Sequence, residues 1–438
     1  MTACKFKSPY YGRACPIPVA VPAFELCACH LLSIGEKHPD HPTWKLSALL
    51  ASEWPAKIRE QLLKLVEETE SNPAIKSHDY AGFWLPSIDL RGTTFTKPVY
   101  FNHAVFLQDA VFSESTFGEV ACFDHTSFRG DVDFMSMSFE AEASFAWARI
   151  KQDMLFSDAN FASDAIFADA FIEGDLVFEG ETFGGEADFR FVKIRKEGHL
   201  VFSGADLKYG RFGGLNLDRV DFRGVKWFRP TRNWWNKSRD ALWEEFRPIE
   251  KHETKRGYSQ IAESYRQLVL NCERRRDFES AEDFHIGEME IRRKAEELKV
   301  HGPLLRWLWR YFNAYALYWR FSRYGTSYVV AFGWLLVWIV VVFPLAFLFS
   351  GFHIVDVATG RPASTIQYQF VPDLRHIGQW FLDWGKAMNF SLAIATFQRS
   401  RLFEPSGGSS YFFSAIESVV IAAQSALVLF AVRRRFWR

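Results

Sequence analysis

The sequence predicts a mainly β fold with added α structure: a short-period β-solenoid, then a helical hairpin, then two transmembrane helices. Three observations carry that expectation. From Phe95 to Ile194 an apolar residue recurs in strictly alternating steps of six and five, and 16 of the 19 positions are Phe while Ile150, Ile172 and Ile194 supply the rest. From 258 to 299 the apolar spacing becomes helical, and 328–352 is a run of 25 residues without a charge. Steps of five and six cannot stay on one face of a 3.6-residue turn, so the ladder is no amphipathic helix. A fixed short period marks a stacked repeat, in which each unit buries its apolar face only against its neighbours.

Two residues before many ladder positions stands a small residue, as at Ala104, Ala110, Ala121, Ala143 and Ala165. Both positions therefore point inward, the small one making room for the ring. In these residues the chain resembles the pentapeptide-repeat family. The resemblance implies a right-handed quadrilateral parallel β-helix over 81–230, with one inward centre per side. Most members step by five throughout; the alternation with six here gives a coil of about 22 residues. Past Ile194 the register slips by two residues near Lys196, and steps of five resume through Phe202, Leu207, Phe212, Leu217, Phe222 and Trp227. At about 4.8 Å per coil, the stretch from Phe95 to Trp227 makes about six coils and a rod roughly 30 Å long.

A net charge of zero over 438 residues conceals an asymmetry, because 108–189 holds 18 Asp or Glu against 3 Lys or Arg. An acidic rod attracts basic partners over a distance. Some members of the resembled family mimic the charge of duplex DNA, so a basic protein is the expected partner and direct nucleic-acid binding is not expected. Solubility of a thin solenoid explains the same charges without any partner.

N-terminal to the rod, four of the six cysteines fall within 30 residues. Cys4, Cys15, Cys27 and His30 are separated by ten, eleven and two residues, a Cys3His set suited to a structural zinc. The segment 1–32 resembles short zinc knuckles in which Gly-Arg precedes the second cysteine, as Gly12 and Arg13 do. Cys29 is an alternative ligand, and free thiols are the plainer reading. Within 33–80, a helix over 55–71 gathers Ile58, Leu62, Leu65 and Val66 on one face and is suited to cap the open end of the solenoid. The first residues lack a basic segment followed by an apolar run, so the soluble part is expected in the cytoplasm, with thiols reduced.

Segment 231–323 contains the hairpin and a juxtamembrane region. Ile261, Tyr265, Leu268 and Cys272 line one helix, while Ala281, Phe284, Ile291, Ala295 and Leu298 line the other. Glu288 sits in the second seam with His285 one turn away, where an ion pair with a nearby arginine is the leading expectation. The hairpin is read as a spacer or an oligomerisation element.

Segment 324–438 is the membrane domain. The run 328–352 and a second run, 411–432, are long enough to cross a bilayer. Arg306, Arg310, Arg320 and Arg323 precede the first, and Arg433, Arg434, Arg435 and Arg438 follow the second. The positive-inside rule then places both termini in the cytoplasm of an inner or plasma membrane. Between the spans, 376–400 reads as a re-entrant segment. Its stretch 387–405 resembles the pore helix and filter of two-span potassium channels at Phe390, Ser391, Thr396 and Pro405. Gln398, Arg399, Ser400 and Arg401 stand where carbonyl-lined filters carry the TVGYG type of backbone, so potassium selectivity is not expected and any pore is expected to pass anions or be nonselective. In the second span Ser414, Glu417, Ser418, Gln424 and Ser425 make a polar stripe. Arg399, Arg401, Glu417 and Gln424 are the pore candidates, and helix packing is the other explanation of the stripe.

No Gly-rich phosphate loop, nucleophile elbow or metal-protease His pair occurs, so an enzyme is not expected. His103, His125 and His199 are expected to be scattered outward or cap residues. The sequence therefore points to a homo-oligomeric, membrane-tethered interaction or sensing module, with an ion channel-like pore gated by the repeat domain as the alternative.

Overall fold

A computed structural model describes residues 26–33, 46–230, 239–246, 254–356, 359, 361–369, 377–396 and 402–436. It forms two compact units, Met1–Arg292 and Arg293–Arg438.

The first unit is built on a parallel β-solenoid of about seven turns with four faces. The first face runs from His78–Asp79 to Gly210–Arg211 and the second from Trp84–Leu85 to Lys193–Ile194. The third runs from Ile88–Asp89 to Val220–Asp221 and the fourth from Thr94–Phe95 to Thr182–Phe183. Through the middle of the rod the rungs pair at an offset of 22, as in Thr94↔Thr116 and Phe171↔Lys193, while the first-coil pairs His78↔Val99 and Trp84↔Val105 stand at 21. The rod gains a turn over the six expected because it begins before Phe95. Tyr80, Leu85 and Leu90 are buried centres of an earlier coil, spaced by five and lacking Phe.

Ladder rings stack directly along the rod. Phe123, Phe145 and Phe167 are 4.8 Å apart at 3°, and neighbouring columns meet edge to face, as at Phe134 and Phe145. Both geometries suit the ring quadrupole. The alternation of steps has a backbone cause. Five-residue steps contain a tight turn with a left-handed residue two after the ladder position, at His103, Glu114, His125, Ser136, Trp147 and Asp158. Within that turn Ala104 N–H donates to Phe101 O at 2.9 Å, the type II pattern. Six-residue steps round their corners without such a residue. Near Lys196 the offset grows to 24, as in Asp175↔His199, and the Arg219 guanidinium donates to Arg195 O at 2.9 Å within the extra loop.

Both ends of the rod are covered. Helices α1 (Ala28–Leu31), α2 (Leu46–Leu50) and α3 (Trp54–Ser71) lie over the first coil, where Ile58, Leu62 and Val66 join Cys27, Cys29, Tyr80, Phe83 and Leu85 in one core. Glu70, at the end of α3, accepts from Thr96 N–H at 2.9 Å and pairs with His78 at 2.7 Å. Helices α4 (Thr254–Arg274) and α5 (Phe278–Glu297) form the expected hairpin. It is not a free spacer: it closes the other end of the solenoid. Asn271 donates to Leu217 O and Val220 O at 2.9 Å each, Arg275 pairs with Asp221 at 2.6 Å, and Phe284 packs 5.1 Å from Trp227. Segment 239–246 lies inside this cap, with Arg239 bound to Glu245 at 2.6 Å and Tyr265 donating to Glu245 at 2.7 Å. Glu288 takes the expected ion pair, 2.7 Å from Arg292.

The second unit opens with α6 (Pro303–Phe312) and α7 (Ala314–Ser322). On α6, Leu304, Leu305, Trp307, Leu308, Tyr311 and Phe312 are all exposed, and Arg306 and Arg310 share the opposite edge. Two further helices, α8 (Tyr328–Ser350) and α10 (Gly408–Phe436), are long and apolar enough to cross a membrane. They run antiparallel: Tyr328 and Phe436 have rings 5.9 Å apart, and Ser410 donates to Ser350 O at 3.2 Å. Between them lie α9 (Ile377–Ala395) and an antiparallel sheet of Phe352–Val355, Pro362–Ile366 and Phe403–Pro405, a sheet that the sequence reading lacked. Pro344, within the first span, follows a π-helical stretch, Trp338–Val342. Proline has no N–H for the carbonyl four residues back. That carbonyl, Val340 O, accepts the Trp384 indole N–H of α9 at 3.0 Å, so a backbone group that lipid could not satisfy is satisfied by protein.

Candidate functional site

Three places hold the chemistry that the sequence singled out. At the N-terminal cap, Cys4 and Cys15 lie outside the described residues. Cys27 and His30 come together, with Cys27 Sγ 3.0 Å from His30 Nδ1, and both are buried with Cys29 beside them. Burial pushes the His30 imidazole down to about 4, so the ring is neutral. Two donors on a tetrahedral zinc stand roughly 3.5 Å apart, so the present pair has thiol–imidazole hydrogen-bond spacing. Among the described residues no group of three or more His, Cys, Asp or Glu is arranged to hold a metal.

In the second unit, Arg399 and Arg401 lie outside the described residues. Glu417 and Gln424 are buried on α10 and turned toward their own chain. Glu417 accepts a hydrogen bond from the Ser391 hydroxyl of α9. Gln424 Nε2 donates to Ala331 O of α8 at 2.7 Å and Phe321 O at 3.3 Å. Each thus fastens α10 to a neighbouring helix. Phe390, the other residue of the aromatic–Ser pair, packs with Phe347, Phe352 and Ala387 in the core of this unit.

The largest polar arrangement is the surface of the solenoid, and it is not uniformly acidic. All three basic residues of 108–189, Arg129, Arg149 and Lys151, lie on the second face, where Lys193 and Arg195 extend the row. Aromatic groups lie among them: Arg129 sits 5.3 Å over Trp84, and Arg149 5.5 Å over Phe171. His103 and His125 are not scattered. They stack 4.8 Å apart at the corner leading to this face, with Trp147 5.9 Å beyond.

At the next corner Asp109, Asp131, Asp153 and Asp175 form a column spaced by 22. Each carboxylate accepts the backbone N–H one coil on, at 2.9 to 3.2 Å. These four charges hold coils together. Of the other fourteen acids of 108–189, nine collect on the fourth face and its corners, while Asp124, Asp133, Asp169, Glu173 and Asp188 lie elsewhere. Segments 113–120, 135–142, 157–164 and 179–186 carry two, two, two and three Asp or Glu, nine in all, and no Lys or Arg. The fourth face itself is flat, with Thr116, Ser138, Asn160 and Thr182 in one column; Asn160 donates to Ser138 at 3.4 Å and accepts from Thr182 at 3.1 Å.

Within the last of these segments Glu181 is wholly buried, where earlier coils carry Ser115, Met137 and Ala159. Burial, aided by Asp158 and Glu179, pushes its carboxyl up to about 8. Comparison with protein-family models, curated proteins and solved structures finds no match.

Proposed function

We propose that this chain is a pentapeptide-repeat protein tethered in a plasma or inner membrane by α8 and α10, with a cytoplasmic solenoid serving as an interaction module. The observation that carries the proposal is the segregation of charge on a rod whose two ends are covered. With both ends covered by helices among the described residues, the acidic flank and the flank carrying the basic row are the surfaces left for recognition. The acidic flank suits a basic protein partner. A structural zinc at Cys4, Cys15, Cys27 and His30 belongs to the same proposal; the Cys27–His30 pair would open by about half an ångström to admit it. Elemental analysis near one zinc per chain supports the metal, and near-zero zinc ends it.

The pore alternative has less support, because Glu417 and Gln424 spend hydrogen bonds inside one chain. Planar bilayers separate the two. Full-length protein should give no current while vesicles carrying it bind an oligolysine peptide in a salt-sensitive manner. Neutralising Glu114, Glu119, Glu140 and Glu142 to Gln should remove that binding. A current abolished by Glu417→Leu, or peptide binding indifferent to the four substitutions, defeats the scaffold reading.

A further inference from the structure

The chain visits its faces in order, so the second and fourth lie on opposite sides of the rod. One side therefore presents Arg129, Arg149, Lys151, Lys193 and Arg195, with Glu173 in the same row bound to Arg195 at 2.6 Å and the coil-bridging Asp109, Asp131, Asp153 and Asp175 along one margin. The other presents a flat column of Thr, Ser and Asn flanked by acids, with no basic residue across four coils. Long cationic side chains fit a surface of this kind, which is level at its centre and negative at its margins. Arg129, and Arg149 with Lys151, fall on the same two coils as the acidic segments 135–142 and 157–164, so in two parallel rods these charged rungs meet in register. A partner with an unrelated fold has no reason to share that spacing.

We propose that the partner of the acidic side is a second copy of this chain, whose second face seats on the fourth face of its neighbour. The proposal rests on the interaction-module reading and names the partner within it. The contact is front to back, so it is heterologous: repeated, it closes into a ring or extends as a row. Confinement of both copies to one bilayer raises their effective concentration and allows an individually weak, charge-dominated contact to persist.

The test uses the full chain in vesicles. Copies carrying Ser127→Cys on the second face are mixed with copies carrying Asn160→Cys on the fourth, and a short bismaleimide is added. Cross-links above the wild-type background should form between the two kinds and not within either. Their yield should fall severalfold between about 50 and about 500 mM salt. Arg149→Glu, Lys151→Glu and Lys193→Glu together, placed in the Ser127→Cys copies, should lower it about tenfold. Adding Glu140→Lys, Glu142→Lys and Asp164→Lys to the other copies should restore it. Absence of links between the two kinds, links only within one kind, or a reversal without rescue each overturns the proposal. An acidic peptide or nucleic acid occupying the second face in place of a copy would give the first of these outcomes. Flotation of the vesicles reports anchoring and oligolysine binding reports the acidic surface, so failure of the underlying reading is seen separately.

Discussion

Glu181 makes the stability of the solenoid depend on pH in a direction opposite to most carboxylates. Unfolded, its carboxyl titrates near 4.5; folded, burial moves it to about 8. Between those values the folded chain holds a proton that the unfolded chain has released, so stability falls as pH rises. Below about 4.5 both states are protonated and the contribution is complete; above about 8 both are ionised and the loss is complete. A shift of this size corresponds to about 3 to 5 kcal/mol between the two ends, from about 1.4 kcal/mol per pH unit. Glu181→Gln keeps the shape and cannot ionise. Denaturant unfolding of the full chain in detergent, followed by β-sheet circular dichroism from pH 5 to 9, should give a midpoint that declines for the wild type by more than for the variant, and a variant more stable at pH 8. Parallel pH profiles for the two proteins would refute the reasoning, since they would mean that the carboxyl reaches water or a compensating partner.

Two further outcomes follow from the packing. Phe145→Ala removes a ring stacked on Phe123 and Phe167 in the middle of the rod and should cost about 3 to 5 kcal/mol in the same unfolding measurement, with Phe145→Leu costing less. Trp384→Phe withdraws the indole N–H from Val340 O and should lower stability in detergent by about 1 kcal/mol, whereas Pro344→Ala combined with it should recover part of the loss because the helix can then satisfy that carbonyl itself.

The solenoid was legible in the sequence because Phe at 16 of the 19 inward centres from Phe95 to Ile194 makes the period visible without any pairing information. The coil built on Tyr80, Leu85 and Leu90, though mostly within the expected 81–230, was left out of the coil count for the complementary reason: its centres are ordinary apolar residues at the simple five-residue step. Charge was misread because it was counted along the chain. Arg129, Lys151 and Arg195 share a column only when positions are taken modulo 22, and the same arithmetic places His103 over His125. The hairpin's capping role depends on Asn271 and Arg275 meeting carbonyls and a carboxylate some 50 positions earlier, where no local pattern points. The spans were legible from length and composition alone. The sheet between them was not, since Phe352–Val355 pairs with Phe403–Pro405 across a helix and each strand is too short to show alternation. Glu417 and Gln424 were found as a stripe, but only coordinates reveal that they bind Ser391 and the Ala331 carbonyl.

The interior of the rod repeats every 11 residues, while its surface repeats only every 22. Loss or duplication of 11 residues would leave the aromatic core in step and still turn everything beyond the break by half a circle. Basic rungs would then continue onto the acidic flank, and the protein would fold with its two charged sides scrambled. Lengthening without loss of recognition must therefore proceed by whole coils, a constraint that acts on the outside of the molecule and that the core alone would never impose.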